Sequence, residues 1–600
     1  CGSSEGHSPM AWTPGLGDSE LLHGSTSYLS MLHDEGRNMA YAAALKAQAT
    51  PKLVLDLGAG TGLLAALACK AHEGTNAVAC EVYDQCARVA QLVLKENGLA
   101  ERVKVVNKVA SDLEVGEDLP QKADLCVFEL FDSQLLGESI IPILRDAQAR
   151  LLRPDCTFIP RKVKVKAVLV SCPKLGSANV PELRGAAWPL MLGQMGFDPY
   201  ASDKEGPMCR LSEVWDAFDI DFANLPDTPC AQTTRLRVSA EVIANAVAWW
   251  WELDLGGYPH SSWTKAASSD DTTPARHHWR PCISFLPERR LEGNNVAVTA
   301  AFNDEGVWFA WGGHPGVPPR WLDGVTNVPP ERERLLMASH PSFREALMQM
   351  GRDAGPNPML LLAEDFLCLK TLAEVVKVAQ VPLRPKAFAR LRERGLWPEG
   401  FSQVVPEAVA SPETTVIVEP FMLGEARPWA LCAHLAQRLD RVQAKKALPS
   451  GVTIVAVLVE CEGTWLARQR LENLCGISMA AANPFLVPTR PVPLECHLCE
   501  TAWRALSRPQ PLLQFSLPGL CKGQGECRLE ANSTGRCHAV AFWAEFQVCA
   551  ASNPVEPLST GPAMVPNGWC QAMQLLEEPV DLSVGSPVSV KMVVEDSEVP

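Results

Sequence analysis

Residues 53–64, LVLDLGAGTGLL, decide the fold. The run up to Leu57 is apolar apart from Asp56 and reads as a buried strand. Gly58, Gly60 and Gly62 then open a tight turn, and Leu63-Leu64 start a helix. Working outward, Ala77-Val-Ala-Cys-Glu-Val82 reads as a second strand carrying Glu81 at its end. Residues 84–97 read as a helix closed by Asn97-Gly98, and Val103-Lys-Val-Val106 as a third strand. Leu125-Cys-Val-Phe128 is a further buried run, and residues 21–48 contain a helix. Strands alternating with helices predict a parallel, doubly wound sheet.

At about Pro160 the pattern changes. Residues 161–170, RKVKVKAVLV, alternate with period two, as an antiparallel, half-exposed strand does, and the basic positions read as its solvated face. The chain stays strand-like and rich in Trp and Pro to about residue 311, with a helical insertion around 188–218. The Pro/Gly-rich residues 313–331 make a linker. The second half then repeats the first. AVAWWWELDL at 246–255 matches AVAFWAEFQV at 539–548, an offset of 293. Ser171 and Glu460 end matching strands 289 apart, Glu129 matches Glu419 at 290, and Trp279 matches Trp569 at 290. So constant an offset marks a tandem duplication. The second copy has MLLLAEDFLC at 359–368 where the glycine turn belongs, and nine residues after Glu419 stands Pro428, with Glu425 the nearest acid. Packing positions are kept while glycines and acids are lost, so those residues serve chemistry in the first copy.

At 600 residues the chain exceeds one core. A formal charge of −15 and a pI near 5.4 disfavour direct nucleic-acid binding and favour a basic partner. No apolar run is long enough for a membrane span. The opening CGSSEGHSP has no initiating Met and reads as the start of a fragment, not as a signal peptide. The 21 cysteines are scattered in apolar stretches, which suggests a reducing compartment, cytoplasm or nucleus.

The chemistry rests on two clusters. Gly58, Gly60 and Gly62 follow Asp56, and the third glycine comes one position earlier than in the dinucleotide fingerprint G-x-G-x-x-G. An acid beside the turn favours an amino-bearing cation over a pyrophosphate, and Glu81 can accept both hydroxyls of a ribose. Together they point to S-adenosylmethionine, with a nucleotide oxidoreductase or a packing-only turn as the rivals. The second cluster lies in residues 128–139, FELFDSQLLGES, where Glu129 and Glu138 stand nine apart after a strand. Two carboxylates converging at a strand's carboxyl end need a cation between them, and a planar guanidinium is a good one.

VLDLGAGTGLL, CEVYD, ELFDSQLLGE and HHW at 277–279 resemble the motif series of the protein arginine methyltransferases, and the paired glutamates nine apart belong to that family. MLHDEGRN at 31–38 and the tandem module resemble its two-module members. The resemblance implies a Rossmann-like methyltransferase domain followed by a β-barrel, twice over, with the second copy degenerate. The implied order is an N-terminal helical segment at 1–48, an active Rossmann-like domain at 49–160, and a β-barrel with a helical dimerisation arm at 161–312. The linker at 313–331, a degenerate Rossmann-like domain at 332–449 and a second barrel at 450–600 follow. By position, Arg37 would pair with the carboxylate of S-adenosylmethionine, Asp56 and the three glycines would line its methionine part, Glu81 the ribose, and Ala110 and Ser111 the adenine. Glu129 and Glu138 would clamp the substrate guanidinium, and His278 would pair with Asp34. Met31, Asp132 and Trp279 would line the substrate, with Asp132 favouring peptides that carry further arginines.

The resemblance further implies monomethylation of arginine-rich proteins, such as histones and RNA-binding or splicing-type proteins, in cytoplasm and nucleus. It also implies an intramolecular pseudo-dimer of the two modules, hence a monomer. Two departures stand out: residues 16–21 lack the family's tyrosines, and His277 replaces its Thr or Asp. A non-catalytic scaffold that has kept the fold remains the alternative, and methylation of a small molecule or nucleic acid is disfavoured. Cys496, Cys499, Cys521 and Cys527, near Cys537-His538, have a poor zinc spacing and read as scattered thiols.

Overall fold

The computed structural model describes residues 26–171, 190–191, 209–238, 241–262, 278–279, 281–292, 295–314, 341–355, 358–362, 366–393, 395, 397–419, 427–486, 493–496, 498, 503–519, 522–549, 556–562 and 569–594. Residues 16–21, His277, Glu425, Cys499, Cys521, the expected linker beyond residue 314 and residues 192–208 of the expected helical insertion lie outside them. Where the insertion is described, at 190–191 and 209–218, it is not helical: Leu190–Met191 and Cys209–Arg210 are short strands, and Trp215 starts a longer one that pairs with Lys162–Ser171.

Two helices, α1 (Thr26–Leu32) and α2 (Glu35–Lys46), precede the first sheet. One continuous helix was the expectation. The break falls at Asp34, whose carboxylate accepts the Arg37 backbone N–H (2.9 Å) and so caps α2. The strands β1 (Leu53–Leu57), β2 (Asn76–Cys80), β3 (Val103–Val106), β4 (Ala123–Phe128) and β5 (Leu152–Ile159) pair in parallel in the order β3-β2-β1-β4-β5. Between them run α3 (Leu63–Ala71), α4 (Asp84–Glu96) and α5 (Ile140–Arg150). Every residue of β1 is buried, as a central strand covered on both faces requires. Helix α4 shows why this layer forms: Cys86, Ala87, Val89, Ala90, Val93 and Leu94 recur at helical spacing and are all buried. Strand order reverses between β1 and β4, which opens a crevice at their carboxyl ends.

The parallel sheet ends at Ile159, and antiparallel strands begin at Lys162. They include β6 (Lys162–Ser171), β7 (Trp215–Asp221), β8 (Cys230–Leu236), β9 (Glu241–Asp254), β10 (Pro259–Ser261), β11 (Cys282–Glu292), β12 (Val296–Phe302) and β13 (Val307–Trp311). In β6, Val163, Val165 and Ala167 are buried, while Lys164 and Lys166 pair with Asp216 on β7 (2.8 and 3.1 Å). The basic face is thus an ion-paired sheet surface.

After the repeat, α6 (Pro341–Asp353) leads into a second parallel sheet: β14 (Met359–Leu362), β15 (Ala379–Pro382), β16 (Phe401–Val404), β17 (Thr415–Val418) and β18 (Lys446–Leu448). Its order, β16-β15-β14-β17-β18, repeats that of the first sheet. Helix α7 (Phe366–Ala373) follows β14 as α3 follows β1, and α9 (Pro428–Arg441) matches α5, with α8 (Pro385–Glu393) between. An antiparallel sheet built on β19 (Gly451–Glu460) completes the copy.

A segment after β19 packs on the first module. Leu471, Ile477, Met479 and Ala482 are buried in the first module's core. Asn97 and Ser478 exchange two hydrogen bonds of 2.8 Å each, side chain to backbone. Glu96 accepts from the Ser478 hydroxyl (2.7 Å) and the Ala481 N–H (2.9 Å). Beside the helix break, the His33 ring donates Nε2–H to the Gln469 carbonyl (2.8 Å).

Candidate active site

One wall of the crevice is the glycine turn after β1. Gly58, Gly60 and Gly62 all have positive φ (71°, 55° and 76°), which glycine alone adopts without strain. A Cβ on Gly58 would also lie 2.3 Å from Cδ2 of Leu130, so the turn and the acidic loop after β4 are packed into each other. Asp56 is fully buried; its Oδ2 accepts the Ala65 N–H (2.9 Å), and its Oδ1 has no partner among the described residues. Burial pushes its carboxyl up to about 7, against the pull of the Ala65 N–H. Glu81 is held by two backbone donors, Gly60 N–H on Oε2 and Tyr83 N–H on Oε1, both at 2.8 Å. Asn107 donates to the carbonyls of Glu81 and Val82, which draws the segment bearing Ala110 and Ser111 alongside. There Ala110 is half-buried and Ser111 exposed, in a short helical turn whose carbonyls accept from Arg150.

The other wall is the loop after β4. The Tyr41 hydroxyl donates to the Phe128 carbonyl (3.0 Å) and fixes the strand end from which Glu129 projects. Glu129 Oε2 lies 2.9 Å from Arg37 Nη2, with the two side chains only 8% and 3% exposed. The Arg37 side chain also donates through Nη1 to Asn38 Oδ1 (2.8 Å) and sits over the Tyr41 ring, and its Nε is buried with no partner among the described residues. Arg37, expected on the cofactor's carboxylate, is therefore placed on Glu129 here: a buried guanidinium needs a counter-charge, and Glu129 is the carboxylate within reach.

The loop then returns through positive-φ residues Leu135 and Ser139. Glu138 stands exposed on its rim yet hemmed in by protein. This desolvation, together with the charges of Glu129, Asp132 and Glu81, pushes its carboxyl up to about 8. Such a carboxyl is poised to ionise when a cation arrives.

Two residues are used differently from expectation. Asp132 is half-buried and accepts the Gly137 N–H (3.2 Å), and a Cβ on Gly137 would collide with its Oδ2 at 2.3 Å. It shapes the loop instead of standing at the mouth, because a carboxylate leaving water takes the nearest backbone donor. Trp279 is buried at 3% exposure, not lining the substrate, and donates its indole N–H to the Phe131 carbonyl (2.7 Å). With Trp251, which donates to the Ser133 carbonyl (3.2 Å), it props the loop from behind. Met31 is half-buried against the core.

His278 and Asp34 do come together: Nδ1 lies 3.2 Å from Asp34 Oδ2, and Nε2 points to Glu129 Oε1 at 3.7 Å. Sequence reasoning missed two neighbours. Asn38 donates to the Leu32 carbonyl (2.7 Å) and ties the helix break together; its position one residue after Arg37 was the signal. His260 on β10 lies 3.8 Å from the same Asp34 oxygen, and nothing local in the sequence marks it. Among the described residues no group of His, Cys, Asp and Glu could hold a metal ion; Cys496 and Cys537 are buried, and Cys527 is half-buried.

The donor set fits a nucleoside-linked amino acid. An unpartnered buried carboxylate oxygen at Asp56 suits an ammonium, the Arg37 Nε suits a carboxylate, and Glu81 suits a diol. No family model matches the chain. Protein arginine N-methyltransferase 7 of Oryza sativa subsp. indica is 27% identical, over 94% of this chain and 88% of its own length. The Mus musculus protein of the same name is 26% identical, over 95% and 93%. Protein arginine N-methyltransferase 1.6 of Arabidopsis thaliana is 26% identical, over 96% and 88%. Among solved structures, a chain of the Trypanosoma brucei PRMT1 enzyme-prozyme heterotetrameric complex with AdoHcy aligns at 17% identity and a TM-score of 0.36, covering 46% of this chain and 86% of that one. Along nearly its whole length, this chain is a relative of the proteins named protein arginine N-methyltransferase 7.

Proposed function

We propose that the crevice between β1 and β4 is the active site of an S-adenosylmethionine-dependent protein-arginine N-methyltransferase. The observation that carries this reading is the acid-walled crevice itself. Its Glu129 already holds one guanidinium, that of Arg37, at 2.9 Å, while burial, and after it the acids around it, push the Glu138 carboxyl up to about 8. A pocket of this kind binds a planar cation that brings its own charge.

When bound, S-adenosylmethionine supplies the methyl group on a sulfonium. The chain's own residues bind, orient and deprotonate. Asp56 Oδ1 takes the ammonium, Arg37 the carboxylate, Glu81 the ribose hydroxyls, and Ala110 and Ser111 border the adenine. A guanidinium stays protonated at neutral pH, so its nitrogens are poor nucleophiles. Glu129 and Glu138 hold the guanidinium between them and leave one terminal nitrogen in line with the glycine turn. They also stabilise the positive charge as it redistributes. The proton then leaves through Glu138 or through His278 Nε2, whose other nitrogen rests on Asp34.

The acidic surroundings of Glu138 and the chain's net charge support arginine-rich protein segments as substrates, with monomethylarginine as the product. The first module carries the activity. The second is a degenerate copy, each consisting of a Rossmann-like domain and a β-barrel, and acts as an intramolecular partner that replaces a second subunit. The buried residues 471–482 and the Asn97–Ser478 pair support that role. Radiolabel transfer to an arginine-rich peptide and to its lysine analogue tests the activity: only the arginine peptide should be labelled. Labelling of both or of neither would sink it. Mass spectrometry of the product, expected to give monomethylarginine alone, tests the finer claim.

A further inference from the structure

We propose that Cys282, together with Trp251, is a positioning residue for Glu138, so that the barrel sets the place of one carboxylate of the pair while helix α2 sets the other. The proposal rests on the methyltransferase reading of this site and adds to it a residue that touches neither substrate nor cofactor.

The two glutamates are held by different means. Glu129 leaves the end of β4, whose Phe128 carbonyl accepts the Tyr41 hydroxyl (3.0 Å), and its carboxylate meets Arg37 at 2.9 Å. Both of those partners stand on α2. Glu138 is exposed on the rim, and among the described residues its carboxylate has no hydrogen-bond partner. Its place is therefore set by the backbone beneath it.

That backbone is closed on itself and bolted to the barrel. Leu135 N–H donates to the Asp132 carbonyl (2.9 Å), Leu136 N–H to the Gln134 carbonyl (3.0 Å) and Ser139 N–H to the Leu136 carbonyl (3.2 Å). Gly137 N–H rests on Asp132 Oδ1 (3.2 Å). Leu135 and Leu136 are fully buried, in the same core as Trp251, Trp279 and Cys282. The run from Asp132 to Ser139 is thus one unit, which stays or shifts with whatever holds it. Three barrel side chains hold it from behind. Trp279 donates to the Phe131 carbonyl (2.7 Å), and Trp251 and the Cys282 thiol both donate to the Ser133 carbonyl, each at 3.2 Å.

The two donors on Ser133 stand at rigid positions. Strand β9 lies between β6 and β11, and Trp251 is tied further to Ser262, which accepts its N–H (3.0 Å) and donates to its carbonyl (2.9 Å). Cys282 opens β11 opposite Trp249, so its thiol and the Trp251 indole leave the sheet on one face. Both side chains are fully buried. A thiol is a weak donor and an indole N–H only donates, so neither brings a charge to the reaction. Their effect is to hold a carbonyl still, and an acid carried on a rigid frame keeps the alignment that transfer needs.

Donor and packing can be separated at Cys282. Alanine removes the thiol and leaves a smaller side chain, valine removes it with a larger one, and serine keeps a donor. Cys282→Ala and Cys282→Val should each lower kcat for an arginine-rich peptide about threefold, and Cys282→Ser should restore it. Trp251→Phe, which keeps a ring and loses the N–H, should cost about tenfold, and its combination with Cys282→Ala about thirtyfold. S-adenosylhomocysteine affinity by calorimetry should stay within about twofold of the wild type throughout. A role in packing alone would shift the denaturant midpoint and leave kcat unmoved, which would overturn the proposal. Hydrogen-exchange mass spectrometry of residues 131–139 reads the anchoring without turnover. The amides of Leu135, Leu136, Gly137 and Ser139 should exchange about tenfold faster in the Trp251→Phe, Cys282→Ala variant, with those of β1 and β4 unchanged. Unchanged exchange in the loop, or a kcat that serine does not restore, would also overturn it. If the wild type labels no peptide while the loop loosens in the double variant, the methyltransferase reading fails and the anchoring of Glu138 stands.

Discussion

The two parallel sheets have the same strand order and differ at one edge. In the first, the carbonyl at the end of β4 is satisfied by the Tyr41 hydroxyl, and Arg37 reaches Glu129 from a helix outside the sheet. In the second, Arg438 of α9 lies across the corresponding edge and donates to the carbonyls of Leu362 (3.0 Å) and Glu419 (3.4 Å). Gln148 holds the matching place on α5 and donates elsewhere, to the Phe222 carbonyl (2.7 Å). Both edges satisfy their strand ends, as buried carbonyls must be. One does so with a small hydroxyl and keeps its acids facing the crevice. The other spends a guanidinium on its own backbone. The same strand order thus carries an acid-lined crevice in the first sheet and, among the described residues of the second, a guanidinium bonded to two strand-end carbonyls.

That contrast can be broken at its strongest point. Glu138→Gln should reduce methyl transfer at least about 100-fold while S-adenosylhomocysteine binding, followed by calorimetry, stays nearly unchanged. Retained transfer would mean that the guanidinium clamp is wrong. Gly58→Ala should come next. Its φ of +71° and the 2.3 Å approach to Leu130 make any Cβ costly, so cofactor affinity should fall about tenfold or more by calorimetry.

A pH effect distinguishes the first edge further. The Asp56 carboxyl is raised from 3.8 to about 7, so near neutrality it is partly protonated in the cofactor-free protein and ordinarily ionised when unfolded. The stability this contributes is present below the unfolded value and is lost as pH climbs through about 7. A ligand ammonium at Oδ1 ionises Asp56, so S-adenosylhomocysteine binding at pH 6–7 should release a fraction of a proton. Calorimetry in buffers of different ionisation enthalpy measures it, and Asp56→Asn should remove that fraction. Asn97→Ala deletes two part-buried hydrogen bonds to Ser478 and should lower stability by about 1–2 kcal/mol, read as a denaturant-midpoint shift. Glu419→Gln, at the second edge, should leave transfer within about twofold of the wild type; a larger loss would mean that the second module takes part in the chemistry.

Much of this is legible in the sequence. Helix α4 and strand β3 fall where the pattern puts them: α4 has a clean apolar face and closes at Asn97-Gly98, and β3 is a short valine-rich run buried at both ends. The offset between copies reads through to matched strand orders, since packing preserves apolar positions even where the glycines and acids differ. What could not be read were contacts made across long loops. His260 joins Asp34 only because β10 pairs with β9, and Trp279 supports Phe131 only because the loop folds onto it. Asp132 misled because an acid in a loop gives no sign of whether its oxygens will meet water or a backbone N–H. The helix break at Asp34 had its signal, an Asp three residues before Arg37, hidden inside a segment with strong helical character.

The packing of Leu130 against Gly58 has a consequence for how such a duplicated chain can drift. The glycine turn and the acidic loop share a wall, so a side chain gained at position 58 displaces the residue next to Glu129. Neither half can then be lost at leisure. The second copy has no glycine turn and no acid nine residues after Glu419, although Glu419 itself stays, buried at 1% exposure. Where both walls are present, as in the first module, positions 58 and 130 are therefore constrained together.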